Sequence, residues 1–339
     1  MFSVKGLVEK GSLTSIPSKF VMASVPKQDI LSEVEVIPTI DFSQLTSGTP
    51  DQRSKVIHDI GSACREWGFF MVINHSVPKK VMDDMLKATE SFFDLAEDEK
   101  GEYRNKQLFD PIRYGTGFNV SMEKAFWRDY LKVHVHPHFN APHKPHEFRE
   151  ISQEYCKRAR EVASELFRAI SISLGLEGNY INKAMEIGEG SQLLVVNLYP
   201  PCPKPEIAIG LPPHSDHGLL TLLIQNEVSG LQVVHKGKWV TISPLPNSIL
   251  VNTGDHMEIL TNGRYKSVVH QAVVNNKATR LSIGTAHGPT LDKTVRPAPE
   301  LVDGESFPPA YRGITYREYM EVQQSNELKG KSCLDRIRI

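Results

Sequence analysis

The segment Pro213-His214-Ser215-Asp216 places an imidazole and a carboxylate two residues apart, and a third candidate ligand, His270, follows later in the chain. If the apolar run directly after this segment marks a strand, side chains at positions i and i+2 leave it on one face, so that His214 and Asp216 converge on one point. His270 follows another strand-like run and can complete the set from across a sheet. Two neutral imidazoles and one carboxylate on one side of an ion leave its other side open, which is typical of non-haem Fe(II) sites. The sequence therefore predicts a metal site formed by His214, Asp216 and His270.

A second pair with the same spacing comes later in the chain. Arg280 and Ser282 flank Leu281, so their polar side chains would share one face of a strand while Leu281 faces the other way. A guanidinium binds a carboxylate through two hydrogen bonds, and a hydroxyl can add a third. Either pair by itself is a weak motif, because such short patterns are common on loops and surface strands. The ordered set in strand-like context predicts a metal centre with an acid-binding anchor beside it.

The composition limits the classes of partner. The chain has 339 residues, with 39 basic and 40 acidic side chains and a net charge of −1. This length is sufficient for a large core in one or two domains. The balanced charge gives no electrostatic reason to expect a nucleic acid or an anionic membrane as partner. We therefore expect a small-molecule substrate and a monomeric protein.

The cysteines and the apolar segments indicate a cytoplasmic protein. Four cysteines, Cys64, Cys156, Cys202 and Cys333, lie far apart without a CxxC motif, which favours reduced thiols over a disulfide framework. The N-terminus has no apolar segment typical of a secretion signal. No window approaches the roughly 20 apolar residues that a membrane helix needs.

The order of apolar patterns predicts helices first and many short strands afterwards. Helical spacing at residues 51–67 ends at Gly68, and a buried strand follows at 69–73. The longest helical pattern covers residues 145–174 and ends at Gly175. Seven short strand-like runs between residues 193 and 285 then predict a barrel or jelly roll. We interpret residues 114–118 as a glycine-rich loop. We interpret the Pro-rich segment with His134, His136, His138, His143 and His146 as an exposed connector and not as a metal site.

Several longer motifs stand around the predicted metal ligands. They are Trp67-Gly68-Phe69-Phe70-Met71-Val72-Ile73-Asn74-His75, Asn197-Leu198-Tyr199-Pro200-Pro201-Cys202-Pro203, Val251-Asn252-Thr253-Gly254-Asp255 and Asn262-Gly263-Arg264-Tyr265-Lys266-Ser267. With the His-Asp-His set and Arg280-Leu281-Ser282, the chain from residue 37 onwards resembles the plant 2-oxoglutarate- and Fe(II)-dependent dioxygenase family. That family includes flavonoid, gibberellin and alkaloid oxidases.

The resemblance implies a fold and a division of the chain. The expected fold is α+β, with a double-stranded β-helix (jelly-roll) core flanked by helices and an N-terminal helix and strand region. The expected segments are an N-terminal arm (1–36), an N-terminal non-haem dioxygenase region (37–145), a long support helix with a connector (146–190), the Fe(II)/2-oxoglutarate dioxygenase core (191–290) and a C-terminal helical closure (291–339).

The resemblance also implies the chemistry. Fe(II) is expected on His214, Asp216 and His270, with 2-oxoglutarate and O₂ as cosubstrates and ascorbate as reductant. Arg280 and Ser282 would hold the distal carboxylate of 2-oxoglutarate, with Tyr199 and Asn197 close to the same cosubstrate. Oxidative decarboxylation would give succinate and CO₂, coupled to hydroxylation or desaturation of a plant specialised metabolite. The cofactor supplies the oxidising power, and the protein orders the reactants and excludes water.

The residues around the expected substrate position suggest its class. By the resemblance, Phe118, Tyr130 and Lys132 are candidate substrate contacts near the mouth of the site. Ala286 and Gly288 stand where several flavonoid-oxidising relatives have Phe and Glu. A smaller, uncharged wall favours a terpenoid or alkaloid skeleton over a flavonoid. Gln271 replaces the Arg that usually follows the third ligand, which predicts altered hydrogen bonding near the metal.

Two other functions remain open on the sequence. One is an iron oxidase of the same fold that does not use 2-oxoglutarate, and stoichiometric succinate release would distinguish it. The other is a non-catalytic small-molecule-binding relative, which the intact ligand set disfavours. A zinc hydrolase fits the third ligand and the Arg-x-Ser pair less well.

Overall fold

Helices precede and surround a strand-rich core in the computed structural model, which describes residues 3–11, 15–22, 36–104, 106–119, 123–325 and 331–339. The strands are β1 (Thr39–Asp41), β2 (Phe69–Ile73), β3 (Ile112–Asn119), β4 (Lys124–His136), β5 (Gln192–Tyr199), β6 (Leu211–His214), β7 (Leu220–Gln225), β8 (Leu231–His235), β9 (Lys238–Ile242), β10 (Ile249–Thr253), β11 (His270–Ala272), β12 (Arg280–His287), β13 (Thr294–Val295) and β14 (Ile314–Thr315). The helices are α1 (Val4–Glu9), α2 (Phe42–Ser47), α3 (Pro50–Glu66), α4 (Lys79–Asp94), α5 (Glu97–Gly101), α6 (His146–Ser173), α7 (Tyr180–Ala184), α8 (Asp255–Leu260), α9 (Tyr316–Ser325) and α10 (Ser332–Asp335).

Two sheets form the strand-rich core. The larger has eight strands in the order β1-β2-β10-β7-β12-β5-β4-β3, and the smaller has four in the order β6-β11-β8-β9. Apart from the parallel pair β1–β2, the pairings in both sheets are antiparallel. Residues of both sheets line one cavity. This confirms the predicted α+β fold with a jelly-roll core and flanking helices.

Successive side chains along the central strands face the hydrophobic core and the cavity in turn. On β5, Leu194, Val196 and Leu198 belong to the core cluster that includes the buried faces of α3, α4 and α6. The residues between them, such as Val195 and Asn197, line the cavity. Successive strand side chains point to opposite faces, so one strand serves both purposes.

Helix α6 is the long support element that the sequence predicts. Its 28 residues bury an apolar stripe and contact α3, α4, β7 and β12. Leu174 caps the helix, and Gly175 follows at φ +77°, a left-handed conformation that favours glycine. Gly68 adopts the same left-handed conformation after α3, at φ +63°. Both predicted helix ends are confirmed.

Two segments interpreted as loop and connector are strands, and these interpretations were wrong. Residues 114–118 lie in β3, while His134 and His136 lie on β4, which pairs with β3 and β5. The alternating burial along β4 is typical of a strand with one face on the core. His138, His143 and His146, further on, are exposed as expected.

Two further details differ from expectation. The strand predicted over residues 265–274 is limited to β11, and residues 255–260 form α8, where the sequence indicated no helix. Glu258 of α8 accepts a hydrogen bond from the backbone N–H of Ser267 at 2.8 Å, which fixes this segment outside the sheet. The predicted closing helix is present as α9. In the part of the chain that the structure describes, no helix is both long and apolar enough to cross a membrane.

Candidate active site

Three side chains meet where the smaller sheet opens toward the cavity. His214 is the last residue of β6 and His270 is the first of β11, and the two are directly paired across these strands. Asp216 lies in the turn that follows β6, not on the same strand as His214 as the i, i+2 argument assumed. The turn brings the carboxylate back toward both imidazoles. Within the described residues, no other group of three or more His, Cys, Asp or Glu side chains comes together in this way.

The atoms that face one another are potential metal donors. Oδ1 of Asp216 lies 3.7 Å from Nε2 of His214 and 3.5 Å from Nε2 of His270. The two imidazole rings are 4.2 Å apart between centroids and inclined by 53°. All three donor atoms lie within 4.8 Å of one another. One carboxylate and two imidazoles on one side of a point are the donor set that suits Fe(II) with open coordination positions.

Backbone carbonyls orient both imidazoles. Nδ1 of His214 lies 2.9 Å from the carbonyl oxygen of Pro212, and Nδ1 of His270 lies 3.1 Å from that of Val268. A carbonyl only accepts, so Nδ1 donates in each case and Nε2 keeps its lone pair for a metal.

Two donors hold the carboxylate of Asp216. Its Oδ2 accepts hydrogen bonds from the Thr221 hydroxyl at 2.7 Å and from the Asn252 amide at 2.9 Å. Oδ1 is therefore the oxygen left to face the imidazoles.

The protonation states follow from burial and proximity. Burial lowers the pKa of His214 to about 3, so this imidazole is neutral at pH 7. Burial by itself would raise the pKa of Asp216, but His270 and His214 lower it well below the usual range. Burial opposes charge on His270 as well, yet Asp216 raises the pKa of that imidazole above its usual value. A metal ion replaces that proton when it binds.

A cavity of about 750 Å³ adjoins the three ligands. The large sheet contributes alternate residues of β4, β5 and β12, and the smaller sheet contributes β6, β8 and β11. The predicted anchor Arg280 and Ser282 lies on β12, paired in register with Tyr199 and Asn197 of β5. All four residues line the cavity, so the structure brings the predicted cosubstrate residues together with the metal ligands.

Arg280 is a buried cation without an acidic partner among the described residues. It is 2% exposed, and its Nη2 donates to Oε1 of Gln225 at 2.7 Å. Its guanidinium lies 5.1 Å from the ring centroid of Tyr199, and its Nε has no hydrogen-bond partner. Burial lowers the pKa of Arg280, and Tyr199 opposes that effect. The site fits a ligand with a carboxylate at one end and a metal-binding group at the other.

Only some of the residues predicted to contact the substrate line the cavity. Tyr130, Lys132 and Ala286 line the cavity. Gly288 does not line it, because the ring of Tyr316 occupies the space on its Cβ side, 2.6 Å from where a Cβ would be. The side chain of Phe118 lies outside the described part of the structure.

Several cavity residues were not among the site candidates named from the sequence. They are Arg113 on β3, Phe126 and Arg128 on β4, His217 after the metal-binding turn and Gln323 on α9. The signal for Phe126 and Arg128 was the alternation through Tyr130 and Lys132, which places every second residue on one face. Gln271, the departure beside the third ligand, is buried and donates to Oε1 of Gln232 at 2.8 Å.

Comparison with known proteins defines the class. Residues 190–289 match the 2OG-Fe(II) oxygenase superfamily, and residues 37–154 match the family described as non-haem dioxygenase in morphine synthesis N-terminal. The chain belongs to the 2OG-Fe(II) oxygenase superfamily. It is a 2-oxoglutarate-dependent dioxygenase of the plant type, with Fe(II) and 2-oxoglutarate as cofactor and cosubstrate.

Individual relatives cover nearly the whole chain. The chain is 47% identical to 2-oxoglutarate-dependent dioxygenase 19 of Oryza sativa subsp. japonica, over 89% of this chain and 90% of the relative. It is 37% identical to thebaine 6-O-demethylase of Papaver somniferum, over 97% and 94% of the two chains. Among solved structures, JOX2 in complex with 2OG, Fe and JA superposes with a TM-score of 0.90 at 31% identity, covering 100% of this chain and 98% of that one.

Proposed function

We propose that His214, Asp216 and His270 bind the Fe(II), and that Arg280 with Ser282 holds the distal carboxylate of 2-oxoglutarate, assisted by Tyr199. Asn197 lies beside the same cosubstrate. The substrate is a small plant specialised metabolite with a largely apolar body, and it is hydroxylated or desaturated.

The main support for this proposal is the pairing of two features in one cavity. Three metal donors converge at one end, and a buried guanidinium without an acidic partner among the described residues lies on a facing strand. A buried charge without a partner is strongly unfavourable, so such an arginine indicates an anionic ligand. 2-Oxoglutarate offers a metal-chelating keto acid at one end and a carboxylate at the other.

The residues of the chain orient and shield the reactants. The bound iron and 2-oxoglutarate supply the oxidising chemistry, with succinate and CO₂ as by-products. The imidazoles present Nε2 because Nδ1 is held by the backbone, and Asp216 presents one oxygen because the other is held by Thr221 and Asn252. The two sheets enclose the reactants and exclude bulk water.

The cavity walls refine the substrate class predicted from the sequence. Leu193, Val195 and Ala286 form an uncharged surface that suits an apolar skeleton. Arg113 and Lys132 stand on neighbouring strands of the same cavity, and their charge opposes a protonated amine. Of the skeletons that the sequence favours, we therefore propose the terpenoid type over the alkaloid type, and both over a flavonoid.

A coupled assay tests this proposal. With Fe(II), 2-oxoglutarate and ascorbate, a panel of terpenoids, alkaloids and flavanones is screened by succinate formation and product mass. We expect one succinate per oxidised product with a terpenoid. Product without succinate would indicate the 2-oxoglutarate-independent oxidase, and much faster turnover of flavanones would contradict the proposed substrate class.

Variants of the three proposed metal ligands test the metal assignment, and a variant of an exposed histidine is the matched control. His214→Ala, Asp216→Ala and His270→Ala each abolish turnover, while His138→Ala, which removes an exposed imidazole, leaves it unchanged. Circular dichroism confirms that each variant is folded. Turnover retained in any of the three ligand variants would contradict the metal assignment.

We further propose a monomeric, cytoplasmic enzyme that acts on small molecules and not on nucleic acids or membranes. The balanced net charge and the burial of all four cysteines support this. We retain the five segments divided at residues 36, 145, 190 and 290 as the proposed domain organisation.

A further inference from the structure

Besides Arg280, three cations share the cavity with the proposed metal ligands. Arg113 is on β3, and Arg128 and Lys132 are on β4. Arg113 and Lys132 are direct partners across the antiparallel pair, so their side chains leave the sheet on the same face. Arg128 and Lys132 each lie 5.5 Å from the ring centroid of Tyr130, which stands between them on the same strand.

These cations have no acidic partners among the described residues. Arg113 is 9% exposed and Arg128 is 7% exposed, and the Nε of each has no hydrogen-bond partner. The contact that Arg128 does make is neutral, from Nη1 to Oδ1 of Asn197 at 3.0 Å. Asp110 attracts Arg113 electrostatically, but the two do not form an ion pair. Burial lowers the pKa of Lys132 to about 7; the two arginines add to that effect, and the attraction of Asp216 opposes it.

The charges of the described cavity do not balance without a further anion. Asp216 is the one carboxylate in the described lining, and it faces the metal position. The positive charges of Fe(II) and Arg280 together equal the negative charges of Asp216 and 2-oxoglutarate, so these four groups leave no net charge. The two guanidinium groups of Arg113 and Arg128, together with Lys132 when it is protonated, are then left as an excess of positive charge in a largely buried space. Like charges directly opposite across strands destabilise a sheet, so a structural role does not account for this arrangement.

We infer that the substrate of this dioxygenase carries a carboxylate, which Arg113 and Lys132 bind with Arg128 beside them. The apolar body of the substrate then lies against Leu193 and Val195. The planar guanidinium groups favour a carboxylate, which they can bind through two parallel hydrogen bonds. This inference rests on the proposed function, because it assigns Arg280 to 2-oxoglutarate and the remaining cations to the substrate.

Binding of matched acid and amide probes tests the inference. The protein is loaded with Mn(II), a redox-inactive substitute for Fe(II), and saturated with 2-oxoglutarate so that Arg280 and the metal are occupied. Calorimetry then compares geranic acid, cinnamic acid and 1-naphthaleneacetic acid with their primary amides. We expect the acids to bind about tenfold or more tightly than the amides, as the loss of a buried charge-assisted contact predicts. Equal binding of acids and amides throughout the panel would overturn the inference.

Substitutions locate the effect. Lys132→Met and Arg113→Gln should remove most of the preference for acids, while Lys124→Met should retain it. Lys124 is on the same strand but outside the cavity lining, where its Nζ donates to the carbonyl of Ser18 at 3.2 Å. A preference for acids that survives both cavity substitutions would overturn the assignment to these residues.

Measurements of thermal unfolding and of 2-oxoglutarate binding distinguish a failure of this inference from a failure of the proposed function. Removing an uncompensated buried cation should leave the melting temperature unchanged or higher, whereas a structural cation would lower it when removed. A large fall in melting temperature for both Lys132→Met and Arg113→Gln would therefore contradict the inference. 2-Oxoglutarate binding to the Mn(II) protein is measured separately in the wild type. Its absence there would overturn the proposed function, while normal 2-oxoglutarate binding without a preference for acids would overturn the substrate inference alone.

Discussion

Asp216 presents a single oxygen to the metal position because two neighbours hold the other. The hydroxyl of Thr221 and the amide of Asn252 both donate to Oδ2, from strands β7 and β10 of the large sheet. The convergence of the three proposed ligands could be predicted from residue types and spacing. The roles of these two residues could not, because they depend on how the chain folds back after Asp216 and on the pairing of β10 with β7, which residue spacing does not specify. The same holds for Gln271, whose partner Gln232 lies on the neighbouring strand β8.

We predict that Thr221→Val combined with Asn252→Ala weakens Fe(II) binding about 10- to 100-fold, as loss of the partners of a metal ligand does elsewhere. Anaerobic titration with Fe(II) measures this affinity. Thr285→Val is the control, because its hydroxyl donates to the carbonyl of Leu222 in the core and not to a ligand. An unchanged affinity in the double variant would show that Asp216 does not depend on these donors.

Arg280 should determine affinity for 2-oxoglutarate. Truncation of one partner of a buried charge pair costs about 2 to 5 kcal/mol, so Arg280→Ala should raise the KM for 2-oxoglutarate about 30-fold or more. Steady-state kinetics with 2-oxoglutarate varied at saturating substrate measure the change. Arg264→Ala, an exposed arginine that donates to the carbonyl of Leu301, should leave KM unchanged. A KM that stays the same in Arg280→Ala would contradict the anchor assignment.

At the scale of elements, apolar periodicity predicted the helices and most of the strands. Helix α6 and strand β9 were predicted closely, because a long amphipathic run and a short alternating run followed by turns are distinct patterns. Strand β4 was not predicted, because its histidines and the nearby prolines are typical of an exposed connector and mask its alternation of buried and cavity-facing residues. Arg128, Tyr130 and Lys132 of β4 face an internal cavity and not solvent. That distinction is set by the tertiary structure, and the sequence by itself does not encode it locally.

Gly68 joins α3 to β2 at a point where no side chain fits. A Cβ at this position would lie 2.4 Å from the carbonyl oxygen of Lys266, and φ is +63°. We predict that Gly68→Ala lowers the free energy of unfolding by at least about 2 kcal/mol, because the left-handed conformation and the close contact both oppose a side chain. Urea denaturation measures the loss. Gly101→Ala, at the end of α5 where no atom lies within 4 Å of the added Cβ, should be neutral or stabilising.

For the whole molecule, buried neutral histidines link stability to pH. Burial lowers the pKa of His134 to about 4 and the pKa values of His256 and His287 to about 3. In the unfolded chain an imidazole has a pKa of about 6.5. Below that pH the unfolded state binds protons that the folded state does not, so stability falls as pH decreases.

We predict a marked loss of stability between pH 6.5 and pH 5. With three such groups, the free energy of unfolding changes by at most about 4 kcal/mol per pH unit. Urea midpoints measured at half-unit intervals test this, and His287→Gln should reduce the slope. Equal midpoints at pH 6.5 and pH 5 would contradict the role of these imidazoles.

The whole site combines residues that the sequence could and could not identify. The proposed metal ligands and the proposed anchor Arg280 belong to short motifs, and the structure brings them into one cavity. Arg113 and Arg128 were not among the site candidates named from the sequence, and their importance depends on how β3 and β4 close one side of that cavity. The residues of the proposed substrate wall could therefore be identified only from the three-dimensional structure.

The central claim is that three side chains hold one Fe(II) to which 2-oxoglutarate then binds as a chelate. Anaerobic titration of the protein with Fe(II) in the presence of 2-oxoglutarate tests it, because a keto acid chelated to Fe(II) gives a visible charge-transfer absorption. We predict that this absorption saturates at one Fe(II) per chain in the wild type and is lost in Asp216→Ala and His270→Ala. A wild-type protein that develops no such absorption, or variants that retain it, would contradict the account.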